Sequence, residues 1–475
     1  MSNNPFRDNQ EDMKELLSSY EGLKQGRSHA FIEEEGFEKI INFFNQKEKY
    51  SEALIAADLS IEQFPYSADL LIKKADVLIS LRRFQDALNI LEQASIFCVR
   101  EASFFIVKID ALLAIGDQDQ AEKLFEEVLQ LFEGEDRIHM LFELADVFDD
   151  YEAFDKVFDC LRWILMQDPS NEEALFKICF WTDFTGRNEE GIKLHQEIIE
   201  ETPFNALAWF NLGAAFQGIK LYEKAVDAYQ YAVAIDEKFD YAYRNLGDAF
   251  IKLKKYKEAI EALERVLVLA RPESIIYEAI GHCYDKSNNF TLARNNYRKA
   301  LHLNTEDSQL QYKIACTYMH ENAWVHAIKH LQIALKMHLL QPEYNLALGR
   351  CFLELNNYED AITYLGNAVR GKPKNIIGWI ELLNCFYQAG LFDDGFEYAA
   401  LAFEQTSAKP IFLYYKSAFL FASGQSKEGL TYLQFALKAN AKLIKQFIEI
   451  NPSILQNQQV VDLLSQYKKS SRKKK

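Results

Sequence analysis

A column of small residues recurs along this 475-residue chain and limits what it can fold into. It reads Ala53, Ala87, Ala121, Val157, Gly191, Ala225, Ala259, Ala293, Ala327, Ala361, Gly395 and Gly429, and only Val157 departs from Ala or Gly. The spacing is 34 residues throughout, except for a slip of two around LFEGED (131–136). The strip before each small residue repeats as well: AWFNLGAAF (208–216) becomes AYRNLGDAF (242–250), IYEAIGHCY (276–284) and YNLALGRCF (344–352). Self-similarity at one fixed period marks an array of stacked supersecondary units.

The spacing within a unit is helical. Trp209, Leu212, Gly213 and Phe216 stand at i, i+3, i+4 and i+7, one face of a helix. Ala225, Tyr229 and Ala232 form the matching face of a second helix. Gly213 and Ala225 lack bulk, so the two helices are expected to approach closely with aromatics filling the space beside them. Gly218, Leu221 and Tyr222 are placed in the turn between them. Pro65, Pro169, Pro203 and Pro373 fall where a second helix should stop.

This pattern resembles the tetratricopeptide repeat (TPR) family, a 34-residue helix-turn-helix unit. The resemblance implies an all-α fold, a right-handed α-solenoid (superhelix) of about twelve repeats with helical caps. Units are expected to begin near residues 34, 68, 102, 138, 172, 206, 240, 274, 308, 342, 376 and 410, an array over 34–443. The match is weaker in the first and last units; Lys74 and Lys108, for example, stand where an apolar residue is expected. Residues 1–33 form an N-terminal segment with a short amphipathic capping helix over 10–24. Residues 444–467 read as capping helices broken at Pro452, because an array needs its last apolar face covered. Residues 468–475 read as a disordered basic tail.

Charge narrows the partners. The chain carries a net charge of −17, although Lys468, Lys469, Arg472, Lys473, Lys474 and Lys475 are all basic. Such a body repels nucleic acid and anionic membranes and favours neutral or basic partners. The start, MSNNPFRDNQEDMKELL, lacks the apolar core of a secretory signal, and no apolar run approaches the ~20 residues that span a bilayer. Seven Cys with no C-x-x-C pair point to a reducing compartment, so a cytoplasmic protein is expected.

Candidate chemistry is sparse. Cys283, Cys351 and Cys385 share one column, with Cys316 a residue off it, where a small side chain suits packing. Cys316/His320 and His326/His330 have i, i+4 metal-ligand spacing but no further ligand at a recognisable distance. The acidic run ELADVFDDYEAFD (143–155) lacks calcium-loop spacing. Phosphate-cradling loops, nucleophile elbows and paired-carboxylate signatures do not occur. The expectation is no enzyme, no cofactor and no metal.

The surface is then the candidate site. If the units stack as the resemblance implies, the first helices line a concave groove that binds a protein or peptide ligand. Residues pointing away from the packing face are Tyr241, Arg244, Asp248, Glu278, His282, Asp285, Tyr312, Arg350, Asn384, Tyr387, Tyr414 and Phe421. Toward the N-terminus the equivalent places hold Glu35, Glu38, Asp69, Asp76, Asp110, Asp146, Asp149 and Asp183. One end of the groove is therefore acidic and the other mixed and aromatic, as peptide-binding surfaces are. Some TPR domains grip a terminal carboxylate with Lys, Asn and Arg. Asn211 and Asn245 fit part of that clamp, but Phe210, Ala214 and Asp248 do not. The alternative function is an adaptor that reaches RNA or an anionic membrane surface through the basic tail.

Overall fold

The computed structural model describes residues 5–26, 31–98 and 100–472, and every regular element among them is helical. The chain divides into two compact units, Met1–Ala242 and Tyr243–Lys475. Inside each, short helices follow one another as antiparallel pairs, each packed against the next. In the first unit Ala206–Gly218 pairs with Tyr222–Ile235, and in the second Ser274–Lys286 pairs with Phe290–Leu303.

The small-residue column explains the close pairing. The Ala members of the column are fully buried, and Val157 is nearly so. A Cβ placed on Gly213 lies 2.6 Å from the Tyr229 ring, so only glycine lets that ring lie flat on the partner helix. Leu263 and Tyr297 fill the same place against Gly247 and Gly281 in the second unit.

The turn inside each pair also repeats. Glu48, Arg82, Gly116, Glu152, Gly186, Lys220, Lys254, Asn288, Asn322, Asn356, Gly390 and Gly424 all have positive φ. Each is the left-handed residue that ends a helix and sends the chain back. Lys220, at φ 63°, is one, and the Leu221 N–H then donates to the Phe216 carbonyl at 2.9 Å. The left-handed residue is thus Lys220, not Gly218, which ends the helix and lies against Asn188. Many first helices open on a side-chain cap: Ser67, Asn171, Asn205, Asp307 and Asn375 accept a backbone N–H of the first turn. Pro65, Pro169, Pro203 and Pro373 each sit just past the end of a second helix.

Local departures from the pattern have local reasons. The helix Gly134–Asp150 takes up the residues inserted around LFEGED and is longer than its counterparts. Lys74 reaches out of its apolar position to Asp58 at 2.8 Å, and the Lys108 ammonium lies 5.6 Å from the Phe104 ring centre. At the N-terminus Pro5–Lys24 packs Tyr20 against the first repeat, its ring 5.7 Å from Phe44. At the other end Ile444–Ile450, a 3-10 turn at Pro452–Gln456 and Gln458–Arg472 bury Phe447, Ile454, Val460 and Leu463 over Tyr414 and Leu437. That last helix runs on to Arg472, through Lys468 and Lys469, where a disordered tail is expected from the sequence. Lys473, Lys474 and Lys475 lie outside the described residues.

Candidate partner-binding surface

In the unit Tyr243–Lys475 the residues expected to line a groove are mostly tied to the next first helix. Arg244 donates to Glu273 at 2.6 Å, Lys313 donates to Glu278, and the Arg350 Nε lies 2.6 Å from both oxygens of Glu381. The Tyr415 hydroxyl donates to Asn384 at 2.7 Å. Tyr312 stacks on Tyr344 with ring centres 5.0 Å apart. These contacts fasten one repeat to the next. Asp248 approaches Lys252 at 4.0 Å along its own helix. His282 is half-buried, and burial followed by Lys286 and Lys313 holds its imidazole below the ordinary range. Asp285 is half-buried with Oδ1 lacking a hydrogen-bond partner among the described residues.

Tyr414 is a correction. It is fully buried, with its hydroxyl donating to the Asn440 carbonyl at 2.8 Å and its ring against Phe447. The sequence register puts it on the open face, but here the helix Ile444–Ile450 covers that face. Phe421, two turns further along the same helix face, is half-buried and lies against Gly429.

Asn384 and Tyr387 do come together. With Ile380, Gln388 and Tyr415 they line a pocket of about 380 Å³, closed on its other side by Gln446, Glu449 and Ile450. Tyr387 is held by the rings of Phe392 and Phe419 at 5.6 and 5.8 Å.

In the unit Met1–Ala242 the predicted acids fall into two groups. Glu38, Asp76 and Asp110 are partly buried, and burial raises all three above the usual carboxylate range. Asn45 donates to Asp76 at 3.1 Å, and the Tyr151 hydroxyl donates to Asp110 at 2.6 Å. Glu35 pairs with Lys39 at 2.8 Å. Asp69, Asp146, Asp149 and Asp183 are exposed, and so is Tyr241. Asn211 is buried and donates to the Leu175 carbonyl at 2.7 Å, so it serves as a cross-link rather than as part of a carboxylate clamp.

The sequence expectation passed over an aromatic strip in this unit. Phe176 and Phe180 occupy the positions in Glu172–Phe184 that Arg244 and Asp248 occupy two repeats on, and they are 73% and 60% exposed. The signal was in the sequence. The same register that picked out charged residues also picks out Phe142, Phe176, Phe180 and Phe210.

The candidate metal ligands have other uses. His326 and His330 stack on Tyr318, His330 Nδ1 lies 2.8 Å from Gln311 Oε1, and His320 stacks on Phe290. Cys283, Cys351 and Cys385 are buried, and burial raises their thiols to about 11, 12 and 11. Among the described residues no group of three or more His, Cys, Asp or Glu is placed to hold a metal, and no helix is long and apolar enough to cross a membrane.

The comparison with known families agrees with this architecture. A tetratricopeptide repeat family model matches residues 184–238 and 346–410. The C-terminal ARM domain of tetratricopeptide repeat protein 21 matches residues 212–347, between and across them. The chain is a TPR protein. Solved structures similar to it include the C-terminal part of a TPR repeat-containing protein from Cytophaga hutchinsonii, 16% identical with a TM-score of 0.45, over 51% of this chain and 99% of that one. The Cut9-Hcn1 hetero-tetramer structure is 14% identical with a TM-score of 0.36, over 84% and 97%. YrrB, a TPR protein with an unusual peptide-binding site, is 20% identical with a TM-score of 0.35, over 39% and 95%. No curated protein matches the sequence. TPR repeat families are generally non-enzymatic scaffolds, and the repeats here support a protein-interaction role of that general kind.

Proposed function

We propose that this TPR array holds a protein or peptide ligand in a groove lined by its first helices and does no chemistry on it. The observation that carries this reading is the pocket at Asn384, Tyr387 and Gln388. It is walled by aromatic rings and rimmed by the exposed polar side chains Gln388, Gln446 and Glu449. Rigid aromatics beside a few polar groups bury contact area at low entropic cost and fix orientation. Tyr241, exposed on a first helix in the other unit, offers a second contact of the same kind.

The test is quantitative affinity purification of the tagged full chain from its own cells. Wild type is compared with Tyr241→Ala and with Gln388→Lys/Glu449→Lys. These substitutions sit at exposed positions, so the array should keep its melting temperature. A protein lost from one variant and retained by the other places its binding site. An unchanged set of partners in both variants overturns the assignment of binding to the first-helix face.

A further inference from the structure

Three successive first helices of the unit Met1–Ala242 place matching positions side by side. In Gly134–Asp150 these are Phe142, Asp146 and Asp149; in Glu172–Phe184 they are Phe176, Phe180 and Asp183. In Ala206–Gly218 they are Phe210, Ala214 and Gln217. Positions four and seven apart share one helix face, so Phe142, Phe176 and Phe210 form one row of this strip, Asp149 and Asp183 another, and Asp146 and Phe180 stand in the row between.

The aromatic residues of the middle helix are open to solvent, while Phe142 and Phe210 are half-buried beside them. Phe176, Phe180 and Phe184 stand one turn apart, and Phe184 is 56% exposed. Phe180 and Phe184 stack with centres 5.6 Å apart, and Phe154 and Trp181 stack behind them at 5.4 Å. The ridge is therefore pre-ordered by ring contacts, and a ligand that covers it has few side chains to immobilise. Helix packing leaves such residues bare only at a cost, because a surface helix usually turns its polar face outward. Contiguous exposed aromatics of this kind mark an interaction surface.

The carboxylate side is unneutralised. Among the described residues no ion pair involves Asp146, Asp149, Asp150 or Asp183. Lys177, whose ammonium lies 5.1 Å from the Phe142 ring centre, is held by Glu173 at 2.9 Å. A negative edge beside an apolar ridge fits a segment that is itself two-sided, with large apolar side chains on one edge and Lys or Arg on the other.

We infer that this strip docks a basic amphipathic segment of another protein, its apolar side chains over Phe176 and Phe180 and its cations facing Asp146, Asp149 and Asp183. The inference rests on the reading of the chain as a ligand-binding TPR array. It adds the chemistry of one partner and a location separate from the pocket at Asn384.

Fluorescence anisotropy of the full chain with three labelled 15-residue peptides tests it. One alternates Leu and Lys at helical spacing, one has Glu for every Lys, and one has Gln for every Leu. The Leu–Lys peptide binds most tightly, and its affinity falls with added salt. Phe176→Ser/Phe180→Ser weakens it at least tenfold at unchanged melting temperature. Asp146→Lys/Asp149→Lys weakens it and flattens the salt dependence.

Equal binding of the Leu–Lys and Gln–Lys peptides overturns the inference, because attraction to the acidic body then explains everything. Binding unaffected by either double variant overturns it as well. If removing residues 468–475 raises affinity tenfold, the strip is occupied by the chain's own basic end, and the assignment to a partner falls. Failure of these arms leaves the affinity-purification test of the pocket standing, since Gln388 and Glu449 take no part here.

Discussion

Single side chains set the tolerances of this array. At Gly213 an added methyl meets the Tyr229 ring at 2.6 Å, and the ring is fully buried with no room to swing. Gly213→Ala should therefore cost about 2 kcal/mol, read as a lower urea midpoint. Lys220 poses the opposite case, because it pays for a left-handed φ of 63° that glycine adopts freely. Lys220→Gly should stabilise by about 1 kcal/mol in the same measurement. His195 is buried with neither ring nitrogen hydrogen-bonded among the described residues, and burial lowers its imidazole to about 3. The native state binds that proton less readily than the unfolded chain, whose imidazole titrates near ~6.5. Stability is thus complete above the unfolded value and declines as pH falls toward the folded one. Between pH 7 and 5 the loss attributable to His195 should be about 2 kcal/mol, and His195→Leu should remove it. Glu38, Asp76 and Asp110, held up by burial, act in the opposite sense, contributing stability at low pH that is lost as pH rises. Urea midpoints of wild type and His195→Leu that fall in parallel would show that other groups carry the acid sensitivity.

At the scale of elements, each helix pair has two apolar faces and needs a neighbour on both sides. The terminal helices supply the missing neighbours. Phe447 is fully buried against Tyr414, and Ile444–Ile450 covers a first-helix face that earlier repeats leave open. Phe447→Ala should cost about 4 kcal/mol locally, with hydrogen-exchange protection lost first in Ile411–Ala422 and Ser426–Asn440. Uniform loss along the chain would mean that the end is not an independent cap. The same covering accounts for Tyr414: the repeat register reads its position correctly, but no repeat register records what a later, non-repeating helix lies upon.

For the molecule as a whole, contacts run mostly between neighbours in sequence, and the chain falls into two compact units. Nearest-neighbour stacking does not enforce one all-or-none transition over an array this long. Single-tryptophan variants retaining only Trp209 or only Trp379, one in each unit, should therefore show different urea midpoints. Coincident midpoints, matched by circular dichroism, would establish a single cooperative unit instead.

The period alone determined a great deal. A small residue every 34 positions, with aromatics three and four residues away, can be satisfied by helices in close pairs and by little else, so the fold class was legible without coordinates. Which side of its helix each residue takes was legible too, from helical spacing. What those side chains do was not. Arg244, Glu278, Arg350 and Asn384 look like free contacts in sequence, yet each is fastened to the following repeat. Phe176 and Phe180 stand in the same outward register but were passed over as aromatics among charges, and they are exposed. A periodic pattern encodes contacts within a unit and between consecutive units. Whether an outward side chain meets a neighbour's charge, a capping helix or solvent depends on the offset between stacked helices, and only the tertiary structure fixes that offset.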